Sequence, residues 1–162
     1  MPEKKTLERA RKDASEGKAP SAQAGEFVRE EMDHIREGKH GARSTKQAIA
    51  IGLSKARRAG VDLPPPKKGK ATESTRKQAA RNNAKGQKSP GAKPSRTRSR
   101  ATRSALKREG RQAASHSALS RQAHASARRR GAANRSLAAK KAVRTKGAAG
   151  AARKAVRSRR DE

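Results

Sequence analysis

Large apolar residues crowd into one stretch of this chain. Phe27, Val28, Met32, Ile35, Ile49, Ile51, Leu53, Val61 and Leu63 fall within 37 residues, whereas the 96 residues after Pro66 supply only Leu106, Leu119, Leu137, Val143 and Val156. Val28, Met32 and Ile35 keep the i, i+4, i+7 spacing of one helical face, with Ser21 as the expected N-cap and Gly38 as the stop. A second helix opens at Ser44-Thr45-Lys46-Gln47, a capping-box pattern in which the Ser and Gln side chains take up free amides. Ile49, Leu53 and Ala56 share its face, and Gly60-Val61 predicts a Schellman stop. The pattern thus predicts a helical hairpin, about residues 21–37 and 45–59, inside a module of residues 1–63. A short frayed helix over about 4–15 precedes it, with Leu7 alone to bury. Phe27 is the largest core candidate. Nine large apolar side chains make either a minimal hairpin core or a face that needs a second copy or a partner.

Pro64, Pro65 and Pro66 end this pattern. Residues 64–100 add Pro90, Pro94, Gly69, Gly86 and Gly91 with no large apolar residue, which predicts an extended, solvated linker. From Ala101 prolines disappear and alanine becomes frequent, so residues 111–130, 132–146 and 148–160 are latent helices divided by Gly131 and Gly147. Like charges along each helix oppose its formation until a polyanion neutralises them, so the tail of residues 101–162 is expected to become helical on binding. Lys140-Lys141-Ala142-Val143-Arg144 returns as Arg153-Lys154-Ala155-Val156-Arg157, a weak repeat open to chance in Ala-rich sequence. The expected fold class is mostly disordered, with a small all-α N-terminal hairpin and a basic tail of latent helices.

Charge sharpens that division. Residues 1–66 carry 14 basic and 10 acidic side chains, whereas residues 67–162 carry 30 basic and 4 acidic ones, within a whole-chain net charge of +30. A segment so unbalanced repels itself unless a polyanion screens it, and duplex DNA offers about one phosphate per 1.7 Å of axis. Cysteine is absent, which removes disulfides, thiolate metal sites and thiol nucleophiles. The opening Met-Pro-Glu-Lys-Lys predicts no signal peptide, and nothing approaches the roughly 20 apolar residues of a membrane span, so a cytoplasmic protein is expected.

Candidate chemistry is sparse. Of the histidines, His116 and His124 lie in the low-complexity tail, while His34 and His40 fall on the first helix and its exit turn. A metal there requires further ligands, for which Glu30 and Glu37 are at hand, but an exposed charged helix produces such groupings routinely. Glu30, Glu31 and Asp33 read as a solvated acidic face rather than a catalytic pair. No enzyme, metal or cofactor is expected. Phe27, the sole aromatic residue, leaves the tail nothing to stack on single-stranded bases. Base readout by the second helix, through Lys46, Lys55, Arg57 and Arg58, is the rival to simple phosphate contact. Phosphate neutralisation by the basic segment is the simpler account. The expected contacts are Arg96, Arg98, Arg100, Arg103, Lys107, Arg108, Arg128, Arg129, Arg130, Lys140, Lys141, Arg144, Arg153, Lys154, Arg157, Arg159 and Arg160.

The segment from Gln23-Ala24-Gly25-Glu26-Phe27 through Arg36-Glu37-Gly38-Lys39-His40-Gly41 to Ala56-Arg57-Arg58-Ala59-Gly60 resembles a family of short basic bacterial proteins often labelled plasmid stabilisation proteins. The resemblance covers about residues 1–68 and implies a bacterial origin and a tie to DNA maintenance, with no catalytic residues to carry over. The tail is similar in composition to bacterial linker-histone-like proteins. The expected function is therefore sequence-independent binding of double-stranded DNA in the bacterial nucleoid or in plasmid maintenance, with homodimerisation through the hairpin open. An RNA- or ribosome-associated protein, and an interaction module whose basic tail is a tether, are the alternatives.

Overall fold

Helix formation reaches well beyond the hairpin. The computed structural model describes residues 2–90, 95–129 and, between 131 and 147, all but 133, 135, 138 and 146. Among them run α1 (Lys4–Ser15), α2 (Pro20–Arg36), α3 (Thr45–Arg58), α4 (Glu73–Lys88), α5 (Arg96–Lys107), a 3-10 turn (Gln112–Ala114) and α6 (His116–Arg129). The chain divides into two units, Met1–Leu119 and Ser120–Glu162. In the second, the described residues from 131 to 145 and 147 are also helical.

The expectation of a mostly disordered chain is therefore wrong: this is an all-α protein. Residues 64–100, read as a solvated linker, contain all of α4 and the start of α5. What the apolar count missed is close packing of small residues. Ala79 is buried where α4 lies on α3, and a Cβ at Gly86 would collide with the Arg57 carbonyl oxygen, so the two backbones meet at van der Waals distance. Asn82 donates to Ser54 Oγ at 2.8 Å, and the Asn83 carboxamide accepts from the Leu63 amide at 3.3 Å. The triple proline is tied down as well. Arg57 Nε donates to the Leu63 carbonyl at 2.9 Å and Nη2 to that of Pro64 at 3.3 Å, while Arg76 Nε donates to that of Pro66 at 3.1 Å. Prolines lack the amide but keep the carbonyl, and these carbonyls are taken by arginines.

Local signals explain the helix ends. α2 starts at Pro20, with Ala19 as N-cap and no capping side chain, so Ser21 is not the cap; proline at the first helical position needs no donor. At α3, Ser44 Oγ accepts from the Gln47 amide, but Gln47 Oε1 reaches one residue further back, to the Arg43 amide at 2.8 Å. Val61 N donates to Ala56 O and Gly60 N to Arg57 O, both at 3.1 Å, which is the Schellman pair. Thr72 and Ser95 cap α4 and α5 through their hydroxyls.

The core has two parts. Phe27 and Ala24 of α2, Ala10 of α1, Ala56 of α3 and Val61 form one, with Leu7, Leu53 and Leu63 against it. Met32, Ile35, Ala42 and Ala48 form the other with Ala113 and Ala114, and Leu119 packs on them. Residues 106–119 thus return to cover the hairpin. The Gly41 amide donates to Leu106 O at 2.9 Å and the Ala42 amide to Gly110 O at 3.0 Å. Thr45 Oγ1 donates to Ala113 O at 2.7 Å, and Arg36 Nε to Ala114 O at 3.0 Å. Part of the apolar stripe, at Met32, Ile35 and Ala48, is covered by the chain itself, while Ile49, Ile51 and Leu53 stay half-buried.

Candidate nucleic-acid interface

α5 carries the density of positive charge. Its sequence, Arg-Thr-Arg-Ser-Arg-Ala-Thr-Arg-Ser-Ala-Leu-Lys, holds no acid and buries no residue. Arg96, Arg100, Arg103 and Lys107 stand at i, i+4, i+7 and i+11, which places them on one face along about 16 Å of axis. Arg98 and Arg108 flank them, and all six are exposed. None of the six is in an ion pair with a described carboxylate; Arg108 Nη2 donates only to Ser104 Oγ at 3.3 Å. Like charges four apart destabilise a helix by tenths of a kcal/mol per pair, and the Ser95 cap and helix-forming side chains offset that here.

The other expected contacts divide by position. Arg128 and Arg129 end α6 and are exposed, and Lys140, Lys141 and Arg144 are exposed on helical backbone. The described residues of the tail from 131 to 145, and 147, are thus on helical backbone. Arg130, Arg153, Lys154, Arg157, Arg159 and Arg160, with the second copy of the repeat and the latent helix 148–160, lie outside the described residues.

The second helix of the hairpin is committed elsewhere. Lys55 Nζ sits 2.6 Å from Glu31 Oε2 and 3.4 Å from Glu30 Oε1. Arg57 is buried on the Leu63 and Pro64 carbonyls, and burial lowers its pKa. Of the four cations considered for base readout, only Lys46 is exposed and Arg58 is half-buried. Base readout by α3 is not supported.

Of the acidic side of α2, Asp33 is half-exposed, but Glu30 and Glu31 are not solvated. Glu31 is 0% exposed and Glu30 5%. α1 and the turn after α2 bring partners to them. The Glu3 amide donates to Glu30 Oε2 at 3.1 Å, and Glu3 Oε1 meets His34 Nε2 at 2.8 Å and Lys39 Nζ at 3.1 Å. His40 Nε2 lies 3.3 Å from Glu31 Oε1. The hydrogen bond from His34, with that from Lys39, holds the Glu3 carboxyl at a pKa of about 2. Lys39 is shifted upward by Glu37 and Glu3. Glu31 and Lys55 escaped the sequence reading because their pairing joins two helices; the Glu31, His34 spacing of one turn was the available signal.

Residues 20–68, α2 through the triple proline, match a family of unknown function (DUF6496). Neither the curated proteins nor the solved structures contain a match. No helix among the described residues is long and apolar enough to cross a membrane.

Proposed function

We propose that the protein binds double-stranded DNA through its phosphates, without reading base sequence, using α5 and the basic helical segment that follows. The observation that carries this reading is the stripe Arg96, Arg100, Arg103, Lys107: four exposed cations on one helix face with no carboxylate partner among the described residues. Arginine pairs with phosphate in a fork, and a rigid helix presents the forks at fixed spacing. The charge split supports it, since 30 of the 44 Lys and Arg residues lie beyond Pro66. Such binding suits nucleoid organisation or plasmid maintenance, the setting implied by the resemblance over residues 1–68. Burial of Glu30 and Glu31 leaves the acidic first helix of the hairpin fewer carboxylates to offer a protein partner, which favours DNA binding over a protein-docking module.

Fluorescence anisotropy of the full chain with unrelated duplexes, across a salt series, tests the proposal. Log affinity falls linearly with log salt, with a slope of about −0.9 for each phosphate neutralised. Replacing Arg96, Arg100, Arg103 and Lys107 by Ala flattens that slope by up to about 4 units and weakens every duplex alike. An unchanged slope, or loss on one duplex only, overturns the reading. Duplex RNA in parallel decides the polymer, and tighter binding to RNA overturns the assignment to DNA.

A further inference from the structure

Glu31 and His34 stand one helical turn apart on α2, and the reversal at Gly38 returns His40 to them. One donor atom from each of the three lies within 4.8 Å of the others. Ligands about 2.1 Å from a common ion sit about 3.4 Å apart, so small side-chain rotations close this set. From these positions we propose that Glu31, His34 and His40 bind a divalent transition metal, with zinc matching the two-imidazole, one-carboxylate donor set.

Two features independent of the spacing point to a cation there. Neither Glu31 oxygen accepts a hydrogen bond, although the side chain is 0% exposed. Lys55 stands 2.6 Å from Oε2 as a charge partner without hydrogen-bond alignment, which leaves Oε1 facing His40. Lys55 brings a single positive charge to two buried carboxylates, Glu30 and Glu31, which favours a second cation beside them.

The imidazoles are also oriented as metal ligands are. His40 Nδ1 lies 3.1 Å from the Gly41 carbonyl oxygen, which only accepts, so Nδ1 carries the proton. In the neutral ring the Nε2 lone pair then points at Glu31 Oε1, 3.3 Å away. Two lone pairs in opposition are relieved by a proton or by a metal ion between them. His34 Nε2 donates to the Glu3 carboxylate at 2.8 Å, the carboxylate–histidine pairing found outside metal-bound imidazoles, while Nδ1 faces Glu30 Oε1 at 3.9 Å. Glu31, His34 and His40 line one open cleft, which provides the entry path. Three protein ligands leave a fourth position for water.

Titration of the full chain, stripped with a chelator, by Zn²⁺ in calorimetry and by Co²⁺ in visible absorption tests the site. One Zn²⁺ binds per chain, and Co²⁺ develops the d–d bands of tetrahedral nitrogen and oxygen ligation. His40→Gln and Glu31→Gln each weaken Zn²⁺ at least tenfold, and Glu3→Gln weakens it by about 10-fold or more through His34. The double variant His116→Gln, His124→Gln retains full affinity. Glu3 and His40 are not in the core, so those variants decide the matter whatever Glu31→Gln does to folding. Absence of one-to-one binding, or loss only in the His116, His124 variant, overturns the site.

Discussion

Helices α2 and α5 are built from opposite materials. α2 buries Phe27 and Ile35 completely and turns Glu30 and Glu31 inward, onto Lys55, His34 and His40. α5 buries nothing, holds no carboxylate and leaves its cations without an ion pair among the described residues. The first helix exists because of what it packs against, the second because of its cap and its intrinsic helix formers. The difference separates stability from binding: changes in α2 should unfold the protein, and changes in α5 should disarm it.

The sharpest way to break that division is at Phe27. Phe27→Ala removes a ring at 0% exposure and should cost about 3–5 kcal/mol, read as a drop in midpoint during urea unfolding. A loss below 1 kcal/mol would mean that α2 is not the centre of the fold. Gly86 tests the next layer out. Gly86→Ala gains about 1 kcal/mol of helix propensity but drives a methyl group into the Arg57 carbonyl, for a net loss of about 1–3 kcal/mol. Gly25→Ala on α2 meets nothing within 4 Å and should instead stabilise by about 0.5–1 kcal/mol. Opposite signs at these two glycines show that α4 is docked on α3.

These sites also show what could be read from the amino-acid order. The hairpin was legible because Val28, Met32 and Ile35 announce a face and Ser44 and Gly60 punctuate it. α4 was not. Its contacts are made by Ala79, Asn82, Asn83 and Gly86, types that a count of large apolar residues ignores. The return of residues 106–119 was hidden for the same reason, since it seals the core with Ala113 and Ala114 and with backbone carbonyls 68 and 78 residues from their donors. Arg96–Lys107 was not legible as a helix, because its start falls in the proline-bearing linker of residues 64–100 and the latent helices begin only at residue 111. Charge was the most legible property, because exposed cations need no partner to be recognised, whereas Glu30 and Glu31 looked solvated until α1 and α3 were placed against them.

Replacing Arg96, Arg100, Arg103 and Lys107 by Ala carries the comparison to the other side. The substitutions remove three like-charge pairs at i, i+3 or i+4, each worth about 0.2–0.5 kcal/mol, from residues that pack on nothing. Thermal unfolding should move up slightly or stay in place while duplex affinity falls. A clear loss of stability would show that α5 belongs to the structural core after all.

The smallest effect is expected at paired surface cations, which α5 lacks and the N-terminal segment has. Lys18 Nζ lies 2.6 Å from Asp13 Oδ1 and 2.8 Å from Glu16 Oε2. The hydrogen bond from Lys18 lowers the Glu16 pKa below 4.5, and donating to Asp13 and Glu16 raises that of Lys18 above 10.5. For Glu16 the folded value is the depressed one, so its contribution is present above 4.5 and is lost as pH falls through the folded pKa. For Lys18 the folded value is the raised one, so the contribution holds below 10.5 and is lost as pH climbs past it. Glu16→Gln should therefore lower the melting temperature slightly at neutral pH and flatten its dependence on pH below 4.5. Added salt should erase the difference between the two proteins, because the pair is solvent-exposed. The α5 variant should respond to salt in the opposite sense: screening relieves repulsion in the parent chain, so the parent gains stability and the Ala variant does not. If salt moves both variants alike, paired and unpaired cations are equivalent in this fold and the contrast between the two helices fails at its weakest point.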